Sequence, residues 1–304
     1  MKGSLFFSLI DYPNNYFTSD DPNKIIEFYN SFESCKQLIQ WMKDRPKGVP
    51  IIREVEGDKD IVVVIPTADV NGKYAKECRE NIFKGLSIVF VGSSGKGDFY
   101  FNFAHYVNFG IKKAMEYNPK WIVFSGDDMY KIDDISVLVS ELEKINNSTY
   151  KAVYTEPSKY HSIPCNLSKP RLTRSLLFIL LGKYRRAQIQ IEKRFGVKYF
   201  LPPSGSYWRF FFGDGPHIIS IADFGIFSSE FIRESWPLFD DTYVNSAEDM
   251  DLSLRINRLN NVKTIKFRIG DYMGSTLGTN VRRHLMDIAG LTYFNYRLMA
   301  GMPG

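Results

Sequence analysis

Two adjacent carboxylates stand where a buried strand of this chain is predicted to end. Asp127 and Asp128 directly follow the apolar run WIVFSG, which begins at Trp121. In open α/β sheets, ligands bind outside the carboxyl ends of the strands. Neighbouring carboxylates repel each other, and a hard divalent cation such as Mg²⁺ or Mn²⁺ would neutralise them. The pair predicts a metal site, while a polar turn before a helix capped by Asp133 or Asp134 stays an open alternative.

A second acidic group, Ser246-Ala-Glu-Asp-Met-Asp251, stands directly before an amphipathic helical pattern. Ser246 and Asp249 have the spacing of a capping box, and the helix dipole favours first-turn acids by roughly 0.3–1 kcal/mol each. Capping does not explain three acids, however. The alternative is that one carboxylate is a general base, which must lie within hydrogen-bonding reach of the proton that it removes.

Other catalytic motifs are missing or incomplete. The loop GSSGKGD differs from a Walker A motif, because Phe90 occupies the first glycine position and Gly97 the Ser/Thr position. Lys96 of this loop stays a candidate phosphate ligand. The four histidines stand singly, without an HExxH pair, and the chain has no G-x-S-x-G elbow. These observations disfavour zinc-dependent hydrolysis and acyl hydrolysis.

A basic amphipathic segment is predicted to form a helix from Leu172 to Phe195. Its basic residues are Arg171, Arg174, Lys183, Arg185, Arg186, Lys193 and Arg194. A solvated charged face on a packed helix is the simplest interpretation. Docking on anionic lipid, or a clamp over an anionic acceptor, are the alternatives. Peripheral membrane contact through 171–195 therefore stays open.

Composition predicts a folded globular protein. The chain has 304 residues, of which 44% are hydrophobic and 15% aromatic, so a sizeable core is available. The formal net charge is +5, a mild excess, and the chain lacks the dense basic stripe that is typical of nucleic-acid-binding proteins. We therefore expect no nucleic-acid partner.

Cysteine spacing and apolar runs indicate the compartment. Cys35, Cys78 and Cys165 form no CxxC motif, which favours reduced thiols. The apolar N-terminal run lacks a cleavage site, and the run from Leu176 to Gly182 is shorter than the ~20 residues of a membrane span. We expect a cytoplasmic protein, with membrane association left open.

Strand and helix patterns alternate after a helical start, which predicts an α/β fold with a mainly parallel sheet flanked by helices. Buried strands are predicted at Asp60–Thr67, Leu86–Gly92 and Trp121–Gly126, and a last helix from about Asn280 to Met299. The pattern divides the chain into a helical N-terminal extension, 1–57, and one domain, 58–304. Residues 151–221 form an irregular insertion in that domain.

Taken in order, several motifs resemble a GT-A glycosyltransferase of the inverting family 2. They are IVVVIPT, IVFVGSSGKGD, VNFGIKKA, WIVFSGDDM and ADFGIFSSEFIRESWPLFDDTYVNSAEDMDLSLRIN with the strand that follows. The resemblance covers roughly Asp60 to Ser275 and implies a Rossmann-like GT-A fold.

The resemblance also implies a nucleotide pocket. Pro66, Thr67 and Asp69 would line it, with Thr67 close to the base. The family usually has an acid at the end of the second strand, where this chain has Gly92-Ser93. Ser93 is therefore the counterpart of that acid, and the identity of the base stays open.

Metal and catalytic roles follow from the same resemblance. Gly126-Asp127-Asp128 matches the family's D-x-D segment with its first acid replaced by glycine. Asp128 would be the metal ligand, and Asp127 a ribose partner or a partner of the metal and its water. The family often has a histidine metal ligand where this chain has Asp271. Glu248-Asp249 matches the E-D pair, so Asp249 would be the base, with Glu248 as the alternative.

The implied function is metal-dependent transfer of a sugar, with inversion, from a nucleotide-diphosphate-sugar to an acceptor hydroxyl. Mn²⁺ or Mg²⁺ would be the cofactor, and the acceptor a carbohydrate, a lipid-linked molecule or a protein. A sugar-1-phosphate nucleotidyltransferase is an alternative, although IPTADVNGK replaces its G-x-G-T-R loop. A non-catalytic nucleotide-sugar or carbohydrate-binding protein is another. Slow hydrolysis of a nucleotide-sugar would distinguish an enzyme from a binding protein.

Overall fold

A seven-stranded mixed sheet with helices on both faces organises this α/β protein. The computed structural model describes residues 21–93, 100–156, 165–167, 189–191, 195–200, 218–221, 223–272 and 280–299. The helices are α1 (Pro22–Asn30), α2 (Cys35–Asp44), α3 (Lys73–Glu77), α4 (Phe103–Ala114), α5 (Ile135–Glu143), α6 (Ser229–Glu234), α7 (Glu248–Ile256) and α8 (Val281–Met299). A π-helical turn, Cys78–Ile82, follows α3, and a 3₁₀ turn, Met115–Tyr117, follows α4.

The strands fall into one large sheet and three two-stranded ribbons. In chain order they are β1 (Ile51–Val55), β2 (Asp58–Thr67), β3 (Leu86–Gly92), β4 (Trp121–Ser125), β5 (Met129–Lys131), β6 (Ala152–Thr155), β7 (Cys165–Leu167), β8 (Ile189–Ile191), β9 (Lys198–Phe200), β10 (Ile218–Ser220), β11 (Phe224–Ser228), β12 (Val262–Ile265) and β13 (Ile269–Asp271). The large sheet has the order β1-β3-β2-β4-β11-β6-β12.

The large sheet is mixed, whereas the sequence predicts a mainly parallel one. β2 runs parallel to β3 and β4, and β12 runs parallel to β6. β11 runs antiparallel to both of its neighbours, and β1 runs antiparallel to β3. Because β11 is reversed, its amino end lies at the same edge of the sheet as the carboxyl ends of β2, β3 and β4.

The central strands are buried on both faces because their side chains alternate between two hydrophobic clusters. Val62 and Val64 of β2 pack into one cluster, and Val63 and Ile65 pack into the other. This arrangement explains why β2 and β3 are continuous apolar runs. Gly110 lets α4 approach the sheet closely, since a Cβ atom there would lie 2.5 Å from methyl carbons of Val64 and Val91.

The N-terminal helices belong to a third hydrophobic cluster that they share with α8 and with the segment before α7. Asp21 caps α1, and Ser34 caps α2 through a hydrogen bond from Gln37 N. The predicted extension 1–57 is not helical throughout. The helical conformation is interrupted between α1 and α2, and Ile51–Val55 forms the edge strand β1.

The prediction of a basic helix from Leu172 to Phe195 is wrong for the C-terminal part of that range. Ile189–Ile191 is a strand that pairs with β9 in antiparallel fashion, so a helix cannot continue through it. Most of 171–195 lies outside the described residues, as does Lys96. No helix in the described ranges combines the length and apolar character needed to cross a membrane.

We expect Trp41→Ala to destabilise the whole chain, because the N-terminal helices and α8 share one core. Trp41 is fully buried, with its ring centroid 5.4 Å from that of Phe28 and 5.6 Å from that of Phe32. Removal of a buried Trp side chain costs about 3–5 kcal/mol. Urea denaturation would measure the loss, with exposed Phe109→Ala as a control that changes stability by less than about 0.5 kcal/mol. A loss in Trp41→Ala as small as that of the control would contradict the shared core.

Candidate functional site

The candidate site begins where β4 ends and the chain turns into β5. Gly126, Asp127 and Asp128 form the turn, and Tyr272 N donates a hydrogen bond to Asp128 O at 2.9 Å. β13 pairs with β5, and Asp271 lies opposite Met129. Asp128 and Asp271 are therefore adjacent across this ribbon, although they are far apart in sequence.

Asp223 brings a third carboxylate to the same place. It directly precedes β11, and its carbonyl oxygen accepts a hydrogen bond from Gly126 N at 2.8 Å. A Cβ atom built on Gly126 would lie 3.1 Å from Asp128 Oδ1 and 3.6 Å from Asp223 Cβ. The Asp223 side chain thus begins beside the position that a side chain at 126 would occupy.

The electrostatic environment of Asp223 shows that the acids converge. Its pKa is raised to about 7, first by burial and then by the charges of Asp249, Asp271 and Asp128, while Arg283 opposes the shift. The side chain is nevertheless accessible to solvent. Protein therefore surrounds much of Asp223, while solvent still reaches its side chain. We call Asp128, Asp223, Asp249 and Asp271 the acidic cluster.

The helix α7 contributes acids through an unusual N-terminus. Its N-cap is Ala247, in a left-handed conformation with φ 68° and no side-chain capping bond, and Asn245 is also left-handed, with φ 53°. The predicted capping box of Ser246 and Asp249 is therefore wrong, and the helix begins at Glu248. Non-glycine residues in this region are strained and cluster at functional sites.

The first two acids of α7 differ in exposure. Glu248 is buried, with 7% of its surface exposed, whereas Asp249 is only partly buried. Burial, followed by the charge of Asp249, raises the pKa of Glu248 to about 8, and Arg283 and the backbone N–H of Glu248 oppose the shift. Glu248 Oε2 has no hydrogen-bond partner among the described residues. Glu248 is thus mostly protonated at neutral pH.

The third acid of α7 has a structural role. Asp251 is fully buried, accepts a hydrogen bond from Tyr243 Oη at 3.1 Å, and forms an ion pair with Arg297 Nη1 at 3.0 Å. Arg255 Nε lies 3.4 Å from the same carboxylate. Three acids in four positions therefore serve two purposes, because only Glu248 and Asp249 interact with Asp223.

Buried polar contacts from distant elements hold the segment before α7. Arg45 donates to the carbonyl oxygens of Thr242, at 2.8 Å, of Asp241, at 3.2 Å, and of Tyr243. Asn245 accepts from Phe103 N at 2.7 Å. The N-terminal extension and the start of α4 therefore fix the chain that leads into Glu248 and Asp249.

The predicted nucleotide-pocket residues lie next to the turn after β4, at the ends of β2 and β3. Thr67 Oγ1 donates to Asp127 Oδ2 at 2.7 Å and accepts from Asp69 N at 3.2 Å. Ser93 N donates to Thr67 O at 3.2 Å. Asp69 is exposed, while Pro66 is buried within β2. Asp127 thus points to Thr67, whereas Asp128 belongs to the acidic cluster.

The donor chemistry suits a hard cation, although no closed metal site is preformed. Within the described ranges, no three His, Cys, Asp or Glu side chains are grouped so that they could hold a metal ion. Mg²⁺ is commonly bound by one or two carboxylates together with substrate phosphates and water. Asp128 with one neighbouring acid fits that mode, and Asp127, Asp128 and Asp271 do not form a complete ligand set by themselves.

Asp223 and Arg283 are the site residues that sequence reasoning missed. Asp223 stands before a strand, whereas acids are expected after strands, where parallel sheets bind ligands. The reversed direction of β11 brings its amino end to that edge. The direction of β11 is evident only from the topology of the sheet, so the sequence alone contained no signal that Asp223 belongs to the site.

Comparisons with protein-family models, with curated proteins and with solved structures found no match. The class of protein that the fold and the site define is an α/β protein with a cluster of acidic side chains at the strand ends.

We expect Glu248→Gln to alter the pH dependence of stability, measured by thermal and urea unfolding in the presence of a chelator. The raised pKa of Glu248 means that the folded state retains a proton that the unfolded state loses above about pH 4.5. Protonated Glu248 therefore contributes to the stability of the folded state fully below pH 4.5, and this contribution is lost as the pH rises to about 8. One pKa unit corresponds to about 1.4 kcal/mol. Between pH 5 and 8, the free energy of unfolding of the variant should therefore fall by at least about 1 kcal/mol less than that of the native chain. Parallel pH profiles would contradict the assignment.

Proposed function

We propose that this protein is a metal-dependent inverting glycosyltransferase of the GT-A type, which transfers a sugar from a nucleotide-diphosphate-sugar to an acceptor hydroxyl. The observation that carries the proposal is the convergence of Asp128, Asp249 and Asp271 on Asp223 at the strand ends. The sequence resemblance supports the same function, because it assigns Asp128 to the metal and Asp249 to the base.

Exposure and protonation favour Asp249 over Glu248 as the base. A general base must be ionised and within reach of the acceptor hydroxyl. Glu248 is buried and retains its proton up to about pH 8, because burial raises its pKa, whereas Asp249 is partly exposed. Neighbouring carboxyl groups whose environments differ in this way commonly divide acid and base roles.

Asp223 compensates for the glycine at position 126. This chain lacks the first acid of the D-x-D segment found in the family that it resembles, and Asp223 supplies a carboxylate next to Gly126. This arrangement keeps two acids, Asp223 and Asp128, at the turn after β4. Asp127 would instead serve the nucleotide, since its hydrogen bond to Thr67 directs it to the end of β2.

The reaction follows from these positions. Asp249 accepts the proton of the acceptor hydroxyl as its oxygen attacks the anomeric carbon. The bond from that carbon to the diphosphate oxygen breaks on the opposite face, and the diphosphate leaves with the electron pair. Mn²⁺ or Mg²⁺ bound with Asp128 would stabilise the charge that develops on the leaving diphosphate. Attack opposite the leaving group inverts the anomeric configuration.

We expect Asp249→Asn to reduce release of nucleotide from a nucleotide-sugar by at least about 100-fold, because general base catalysis contributes roughly 10²–10⁴-fold. Binding of the nucleotide-sugar should change little, since the interaction is needed chiefly in the transition state. The assay is hydrolysis of a panel of nucleotide-sugars with Mn²⁺, with affinity measured by calorimetry. Asp60→Asn, an exposed acid at the start of β2, is the matched control. Near-normal turnover in Asp249→Asn would refute the role, and native binding without nucleotide release would indicate a binding protein.

We expect Asp128→Ala to weaken Mn²⁺-dependent binding of a nucleoside diphosphate by about tenfold or more, because loss of a carboxylate ligand lowers metal affinity. Calorimetric titrations with and without Mn²⁺ separate the metal-dependent part of the affinity. Asp134→Asn, an exposed helix cap, serves as the control. An unchanged metal-dependent affinity in Asp128→Ala would contradict the assignment.

A further inference from the structure

A cleft opens near the C-terminal ends of α7 and α8, and Arg255, which lines it, lies six residues, or about 9 Å along the helix axis, from Asp249 of the acidic cluster. Arg283 at the start of α8 faces the acidic cluster, and Arg297 near its end lines the cleft, 14 residues further at about 1.5 Å each. The volume is about 430 Å³, within the range of small-molecule sites. We call it the distal cleft, and its walls include Phe231, Trp236, Pro237, Asp240, Arg255 and Arg297.

The charged groups on the inner wall neutralise one another. Asp240 Oδ2 accepts from Arg297 Nη1 at 2.9 Å and from Tyr293 Oη at 2.7 Å. Arg297 also pairs with Asp251, which lies 3.4 Å from Arg255 Nε. A charged ligand would have to compete with an existing partner for each of these groups. The inner wall therefore favours a ligand without net charge.

The acids nearer the rim are paired as well. Asp241 forms an ion pair with Lys47 at 2.9 Å, and Glu234 forms one with Lys151. A carboxylate has about four acceptor positions and a guanidinium five N–H donors, so such pairs retain hydrogen-bonding capacity. The distal cleft thus offers many planar polar groups but little free charge, which suits a ligand rich in hydroxyl groups.

Trp236 adds an apolar face to the same wall. Its side chain is 46% exposed, which is unusual for so large an aromatic residue, and Pro237 and Leu259 also line the cleft. Aromatic rings contribute a large, rigid contact surface with a polar N–H at one end. A ligand that presents both C–H faces and hydroxyl edges would use the ring and the paired charges together.

We propose that the distal cleft binds a neutral oligosaccharide. A sugar ring combines an apolar C–H face, which can stack on Trp236, with hydroxyl groups that donate to Asp240 and accept from Arg297. An anionic ligand such as a nucleoside diphosphate would have to displace the carboxylates that already pair with Arg255 and Arg297. This site is separate from the acidic cluster and does not depend on sugar transfer there.

Calorimetric titration with neutral hexasaccharides of glucose, mannose and N-acetylglucosamine tests the proposal. No nucleotide-sugar is present, so the result is independent of transferase activity. We expect saturable binding of at least one of these saccharides. Trp236→Ala should weaken that binding at least tenfold, whereas Trp236→Phe, which keeps an aromatic ring, should stay within about threefold of the native affinity. Phe109→Ala removes a comparably exposed aromatic side chain, 42% exposed, from α4 and should leave the affinity unchanged.

Thermal unfolding of each variant controls for loss of the fold, since Trp236 is half exposed and its removal should leave the unfolding midpoint nearly unchanged. No saturable binding of any hexasaccharide would overturn the proposal. Equal affinities of Trp236→Ala and Phe109→Ala, or displacement of the saccharide by a nucleoside diphosphate, would also overturn it.

Discussion

Mutual repulsion of carboxylates around Asp223 is the constraint on which the rest of the site depends. Four acids from separate segments meet at one edge of the sheet, and burial, together with the charges of the other three, raises the pKa of Asp223 and so favours its protonated form. Such an arrangement destabilises the folded chain at neutral pH unless protons or a cation offset it. Proteins retain arrangements of this kind mainly where binding or catalysis needs them.

Packing outside the acidic cluster holds its repelling acids in place. The Arg45 guanidinium, with 3% of the residue's surface exposed, holds the backbone before α7. Gly290 of α8 lets that backbone approach closely, since a Cβ there would lie 2.2 Å from Ser246 O. The left-handed residues Asn245 and Ala247 are thus fixed from several sides. Through Arg45, which follows α2, the N-terminal helices contribute to the site from a distance.

The helix α8 extends from the acidic cluster to the distal cleft. Its first turn carries Arg283, whose positive charge lowers the pKa of Asp223 and of Glu248. Near its other end, Arg297 joins Asp240 and Asp251 in a network that closes the inner wall of the distal cleft. Because the acids of the distal cleft are paired and those of the acidic cluster repel one another, the two sites suit different ligands.

The central strands, their order in the chain, a helix cap at Asp133 or Asp134 and the terminal helix could all be predicted from local patterns, and the structure assigns the cap to Asp134. Apolar β-branched runs and 3.6-residue periodicity depend on neighbouring residues alone, and the bounds of β3 agree with the prediction. Short elements such as β5 and β13 were missed, because three residues carry no usable periodicity. The strand β8 replaces the end of a predicted helix because pairing with β9 decides its conformation.

The sequence by itself determined which segments are strands or helices at the centre of the fold and that acids follow β4 and open α7. Only the tertiary structure decided that Asp223 joins these acids, that Asp251 does not, and that Glu248 is buried while Asp249 is accessible. The physical reason is that strand direction and burial depend on contacts between residues that are distant in sequence. Local spacing indicates which side chains could react, and long-range packing sets their neighbours and their charge.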